Sequence, residues 1–233
     1  ALEDIYNAPS ASSLQTGRMT IEDVVARTSF LFAILVAVGG AAWYFNIGMG
    51  ALLVGFIGGF ILAMVNIFSK TVRPALIMAY AAFEGLALGT LSNFYETIYP
   101  GIVSQAVIGT LAAFAGVLFM YRSGRLRATP KFTRVLMGAA IGYIVLGLVS
   151  FISSFFGVGG GYGFYGTGIG LLLAVGGVVI ASLFLVLDFD QIENAIRAGV
   201  PETESWRAGF GLMVTLVWLY LEILRLLSIL RRD

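Results

Sequence analysis

Apolar residues run along this chain in seven long blocks, separated by short polar or glycine-rich breaks. The blocks lie near 28–45, 51–69, 74–97, 102–121, 132–156, 168–187 and 208–229. A block of about 20 apolar residues, at 1.5 Å per helical residue, crosses a hydrocarbon layer of about 30 Å. The pattern predicts an all-α integral membrane protein, a seven-transmembrane-helix bundle. Thr20, followed by Glu22 and Asp23, reads as an N-cap with acids in the first helical turn. From there a helix runs through Arg27 into the first block. Residues 1–19 are polar and Ser-rich and are expected to form a disordered cytoplasmic tail with no cleavable signal sequence. Residues 20–233 are expected to form one transmembrane domain without a linker.

Composition narrows the chemistry. Hydrophobic residues make up 59% of the chain and charged ones 12%, against roughly 25% charged in soluble domains. There is no cysteine and no histidine, which removes disulfides, thiolate metal sites, zinc hydrolysis, most haem ligation and Ser-His catalysis. The net charge is +1, and no basic cluster is interleaved with aromatics, so no nucleic-acid partner is expected.

Lysine and arginine alternate between the breaks. Arg18 and Arg27 precede or open the first block. Lys70 and Arg73 lie in the second break, Arg122, Arg125, Arg127, Lys131 and Arg134 in or beside the fourth, and Arg197 and Arg207 in the sixth. The first, third and fifth breaks carry none. By the positive-inside rule the amino terminus is cytoplasmic. Seven crossings then put Arg225, Arg231 and Arg232 near the outside, where the same rule disfavours them. The last helix either crosses regardless or enters partway and returns.

Glycines at four-residue spacing let helix backbones approach closely: Gly55 with Gly59, Gly85 with Gly89, Gly138 with Gly142. Gly85 and Gly89 also thin the wall beside Glu84. The run from Gly157 to Gly163 follows no strand, so it is a flexible external turn and not a phosphate loop. Trp43, Tyr44, Tyr99, Tyr121 and Trp206 stand near block ends as interfacial anchors.

Four acids lie inside or at the edge of the blocks, and ionisable groups there usually mark ion or proton pathways. Glu84 sits near mid-membrane with no basic residue within a turn. It is either a protonated structural acid or part of an ion path. Asp188 and Asp190 are expected to close the sixth span, where the helix macrodipole disfavours acids and calls for a cation. Lys70 and Arg73 are the candidate partners, as a latch released on protonation. Glu222 can pair with Arg225 three residues on. Alternatively it faces the interior and shares a proton or cation with Asp188, because two close carboxylates cannot both ionise cheaply. Such a pair would also offer the oxygen ligands that calcium prefers. If the last helix starts near Trp206, however, Glu222 lies about 24 Å along it, out of reach of Asp188.

The sixth block ends Val186-Leu-Asp-Phe-Asp-Gln-Ile192, and the seventh carries Leu219-Tyr-Leu-Glu-Ile-Leu-Arg-Leu-Leu-Ser-Ile-Leu230. With Glu84-Gly85 in the third, these segments resemble the bacterial branch of the Bax-inhibitor (transmembrane Bax inhibitor motif) family, over roughly residues 20–232. The family pattern has Asp-Thr-Gln at the end of the sixth helix. Asp188 holds the Asp position, but Phe189 and Asp190 stand where the family has Thr and Gln. Glu222 replaces an aspartate in the seventh.

The resemblance implies a pH-sensitive calcium leak channel in a bacterial plasma (inner) membrane. Asp188 and Glu222 would be its carboxylate pair and calcium ligands, and Lys70 or Arg73 the latch. The resemblance also allows a non-transporting regulator that binds a membrane protease or another bilayer partner. Lipid, calcium and protons are the expected partners, with no resident cofactor. No enzymatic role is expected: no lysine stands in the last helix for retinal, and no Gly-x-Gly-Asp motif occurs.

Overall fold

In the computed structural model, residues 17–232 are described. They form seven helices: α1 (Ile21–Tyr44), α2 (Met49–Phe68), α3 (Pro74–Ile98), α4 (Ile102–Arg122), α5 (Pro130–Ser154), α6 (Gly170–Arg197) and α7 (Glu204–Leu230). Each is long and apolar enough to cross a membrane. Among the described residues there is no strand.

Local chemistry sets the helix ends. Thr20 Oγ1 accepts the Asp23 N–H at 3.2 Å, and Asp23 accepts the Thr20 N–H at 2.9 Å, a reciprocal capping box that starts α1. Pro74 and Pro130 open α3 and α5, where a missing N–H costs nothing. Beyond α6, Gly199 adopts φ +67°, the left-handed conformation that commonly ends a helix.

Two expectations change here. The tail expected at 1–19 is fixed at its last residues: Met19 donates to the Val200 carbonyl at 2.9 Å, and Gly17 accepts the Glu202 N–H at 2.9 Å. Residues 1–16 lie outside the described part. The sixth helix does not end near 187 but continues to Arg197, so Asp188 and Asp190 lie within it rather than at its end. Phe189, Ile192 and Ile196 hold a helical apolar stripe there after the mean hydropathy has dropped.

Bare backbone governs the packing. A methyl at Gly55 would lie 2.6 Å from the Ala87 nitrogen, and one at Gly85 would lie 2.5 Å from the Leu35 carbonyl. Two of the three expected pairs therefore seat α3 between α1 and α2. The third does not, because Gly138 and Gly142 face open space.

Buried side chains form two clusters. Leu31, Tyr80 and Met213 belong to one, joining α1, α3 and α7. Ile102, Leu185 and Leu219 belong to the other, joining α4, α6 and α7. Helix α7 serves both and is the centre of the bundle. Outward positions such as Phe56, Ile61 and Leu172 remain apolar, as a surface facing lipid requires.

The last helix is continuous. At its end Arg231 donates to the Pro100 carbonyl at 2.7 Å and to Gln105 at 2.9 Å, while Arg232 lies 4.0 Å over the Tyr162 ring. Pro100 and Tyr162 belong to the α3–α4 and α5–α6 connections. Helix α7 thus runs the full height of the bundle, and the carboxyl-terminal arginines are held by these connections at the end opposite residues 17–20.

Candidate functional site

The acids singled out by the sequence fall in separate places. Glu222 is 3% exposed in α7. Arg225, three residues on, donates to both carboxylate oxygens at 3.1 and 3.0 Å. The Trp218 indole N–H, one turn back, donates at 3.1 Å, and the Tyr143 hydroxyl of α5 donates at 2.6 Å. Tyr165 donates to Tyr143 at 2.8 Å, and its ring lies 4.6 Å under the Arg225 guanidinium. Charge and lone pairs are both satisfied, as a buried ion pair requires. Gly177 of α6 makes room, since a methyl there would overlap the Tyr143 hydroxyl and the Glu222 carboxylate. The helical pairing with Arg225 is therefore present.

The pairing of Glu222 with Asp188 is not. Glu222 lies level with Gly177, and from position 177 to 188 the helix rises roughly 16 Å. α7 starts at Glu204, so the long separation expected for an early start applies. Asp188 and Glu222 cannot act as joint calcium ligands or share a proton across that distance. Among the described residues, no three acidic side chains converge into a metal cluster.

Asp188 is at the other end of the bundle, beside a cavity of ≈ 370 Å³ between α6 and α7. Met19, Gln191, Glu204, Arg207 and Gly211 also line it. The Thr215 hydroxyl stands near the Asp188 carboxyl. Its Oδ2, although buried, has no hydrogen-bond partner among the described residues. An orphaned buried polar atom costs about 1–3 kcal/mol, so a proton, cation or water at this oxygen would relieve it. Gly211 faces the carboxyl across the cavity, where a methyl would make only ordinary contact, 4.0 Å from Oδ1.

Residues 17–19 close one wall of this cavity. Met19 is 2% exposed and is held by its backbone bond to Val200 and by that of Gly17 to Glu202. The adjoining connection is clamped by Arg27, which pairs with Glu202 at 3.1 Å and lies 4.9 Å over the Trp206 ring.

The latch assignment is also corrected. The Lys70 and Arg73 side chains are exposed and make no ion pair with Asp188. Arg207 is the cation that lines the cavity. It contacts Glu204 at 3.4 Å and donates to the backbone carbonyls of Ser69 at 3.1 Å and Lys70 at 3.4 Å. The link between the α2–α3 connection and the start of α7 therefore exists in the reverse sense: the α7 arginine reaches over, and the connection offers only carbonyls.

Asp190 accepts from Asn194 at 2.9 Å. Two residues from Asp188 on a helix, it points to another flank and does not join the cavity. Glu84 accepts from Tyr80 one turn back at 2.9 Å. Its carboxyl rests against Gly59 of α2, where a methyl would lie 3.6 Å away. It pairs with none of the other three acids.

Sequence inspection missed Tyr143, Tyr165, Met19 and Arg207. Trp218 was detectable, standing four residues before Glu222 on the same helical face.

A family model described as Bax inhibitor 1 like matches residues 3–232. No curated protein matches the chain.

Proposed function

The chain belongs to the Bax inhibitor 1 like family, and from that premise we propose that it is a passive, proton-regulated cation leak. Calcium is the cargo, and Asp188 is the acid that regulates passage. The observation that carries this is the buried, unpartnered Asp188 Oδ2 at the wall of the ≈ 370 Å³ cavity.

An ionised Asp188 would put negative charge at the cavity wall, with Arg207 already engaged by Glu204 and two carbonyls. The compensating charge then comes from an entering cation or a proton. Protonation removes the attraction and supplies a donor. Calcium takes six to eight oxygen ligands. Asp188, Thr215 and Glu204 supply fewer, so the ion would pass still partly hydrated and held only weakly, as conduction requires.

Beyond Asp188 the packed side chains of Leu185, Leu212 and Leu219 fill the space between α6, α7 and α4. This is a closed state, and passage requires α6 and α7 to part. Glu222 and Arg225 neutralise each other at the far end and act as a fixed structural tie. We assign the amino terminus to the cytoplasm and the membrane to a bacterial plasma membrane, which makes the cavity cytoplasmic.

The unbroken apolar core also favours a second reading: a non-transporting regulator that binds a protease or another membrane protein.

Calcium efflux from proteoliposomes, followed with an indicator across a pH series, tests the leak. The wild type is expected to show pH-dependent efflux, and Asp188→Asn to lose the pH dependence. Arg207→Gln should alter the profile, whereas the pair Lys70→Gln and Arg73→Gln should not. Absence of flux at every pH discards the leak. A stoichiometric partner recovered by crosslinking in native membranes would then support regulation.

A further inference from the structure

The α4–α5 connection carries charge that no acid among the described residues neutralises. Arg122, Arg125, Arg127, Lys131 and Arg134 are all exposed, and no acid occurs between positions 122 and 134. None of the five forms an ion pair among the described residues. The acids of α6 beside the end of α4 are engaged elsewhere. Glu193 accepts from the Tyr121 hydroxyl at 2.6 Å and pairs with Arg197, and Asp190 accepts from Asn194. Lys131 and Arg134 also stand in the first turns of α5, where the helix macrodipole opposes positive charge. Their placement is therefore locally unfavourable.

The surroundings are apolar. Just below Arg122 on α4, Phe119 is 68% exposed, and next to Arg134 on α5, Val135 is 65% exposed. Helices α4 and α5, although consecutive, barely touch: α4 packs on α7 and α6, and α5 on α6 and the turns at its far end. Cations without an ion-pair partner among the described residues thus crown two helices whose flanks are apolar and exposed.

We propose that this connection is a docking surface for anionic phospholipid, with the phosphodiester on the five cations and an acyl chain along the exposed flanks of α4 and α5. Charge complementarity selects this occupant. A zwitterionic headgroup brings no net charge to offset +5, and a free phosphate has no use for the apolar flanks. Each basic residue near an anionic surface is worth about 5-fold in affinity, so three together are worth on the order of 100-fold.

The test is native mass spectrometry of the full-length protein in detergent, titrated with phosphatidylglycerol or phosphatidylcholine. The wild type is expected to retain phosphatidylglycerol preferentially, and less so as salt rises. The variant Arg125→Gln/Arg127→Gln/Lys131→Gln should lose the preference. The control Lys70→Gln/Arg73→Gln, on another exposed connection, should keep it. Equal retention of the two lipids by the wild type overturns the proposal, as does an unchanged preference in the triple variant or an equal loss in the control. Displacement of phosphatidylglycerol by inorganic phosphate at matched ionic strength would assign the surface to free phosphate and also overturn it. All substituted positions are exposed, and the readout is binding, so the outcome is independent of whether the protein conducts calcium.

Discussion

Replacing Arg225 with methionine removes the only cation among the described residues that touches Glu222. The stem volume is largely kept, so the change is mainly electrostatic. Glu222 would retain the Trp218 and Tyr143 donors but lose its counter-charge while 3% exposed. Breaking a fully buried pair costs about 3–5 kcal/mol. The Arg225 side chain keeps 37% of its exposure, so water already weakens the attraction, and about 2 kcal/mol is the better expectation. In a chain of this size that is roughly 4–8 °C of melting temperature, by the scaling for soluble proteins.

Thermal unfolding in detergent, followed by tryptophan fluorescence, reads the effect with Trp218 at the site itself. Adding Glu222→Gln should recover at least half of the loss, since a pair replaced on both sides by uncharged groups is close to neutral in cost. An unchanged melting temperature in Arg225→Met would refute the assignment of the pair as a structural tie. So would a double variant melting no higher than the single one.

Two further outcomes follow from packing. Gly89→Ala places a methyl against the Gly39 backbone and should destabilise by about 1–3 kcal/mol, whereas Gly138→Ala, which meets open space, should be neutral or stabilising in melting experiments. Met19→Ala should open the Asp188 cavity and raise carbodiimide modification of Asp188, read by mass spectrometry, at a stability cost of about 2–5 kcal/mol. Unchanged labelling would show that Met19 does not close it.

The spans were legible because lipid imposes a length and a composition on each helix, and the Thr20 cap and the Glu222–Arg225 pair were legible because both are local in sequence. The end of α6 was not. Hydropathy marks where a helix leaves the apolar layer, not where it stops, and Phe189, Ile192 and Ile196 carry α6 onward. That extension moved Asp188 from an expected helix terminus into a helix interior and left the macrodipole argument without an object. The company of each acid was also illegible. Tyr143 reaches Glu222 from α5, and Met19 and Arg207 reach the Asp188 cavity from distant parts of the chain, through contacts that no spacing encodes. The glycine motifs were only half informative: four-residue spacing permits close approach, but Gly138 and Gly142 show that it does not supply a neighbour.

Helix α2 packs almost wholly on α3, through Gly55, Gly58 and Gly59, and in a bilayer no hydrophobic force holds it there. It is the side door of the bundle, and Glu84 stands behind it. Were α2 to swing aside, that carboxyl would meet hydrocarbon, which for a charged group near the bilayer centre costs at least ~2.5 kcal/mol. The door therefore opens more readily over a neutral Glu84, and by reciprocity an open door favours the bound proton. Movement of this one helix and occupancy of a single hydrogen are two faces of one equilibrium.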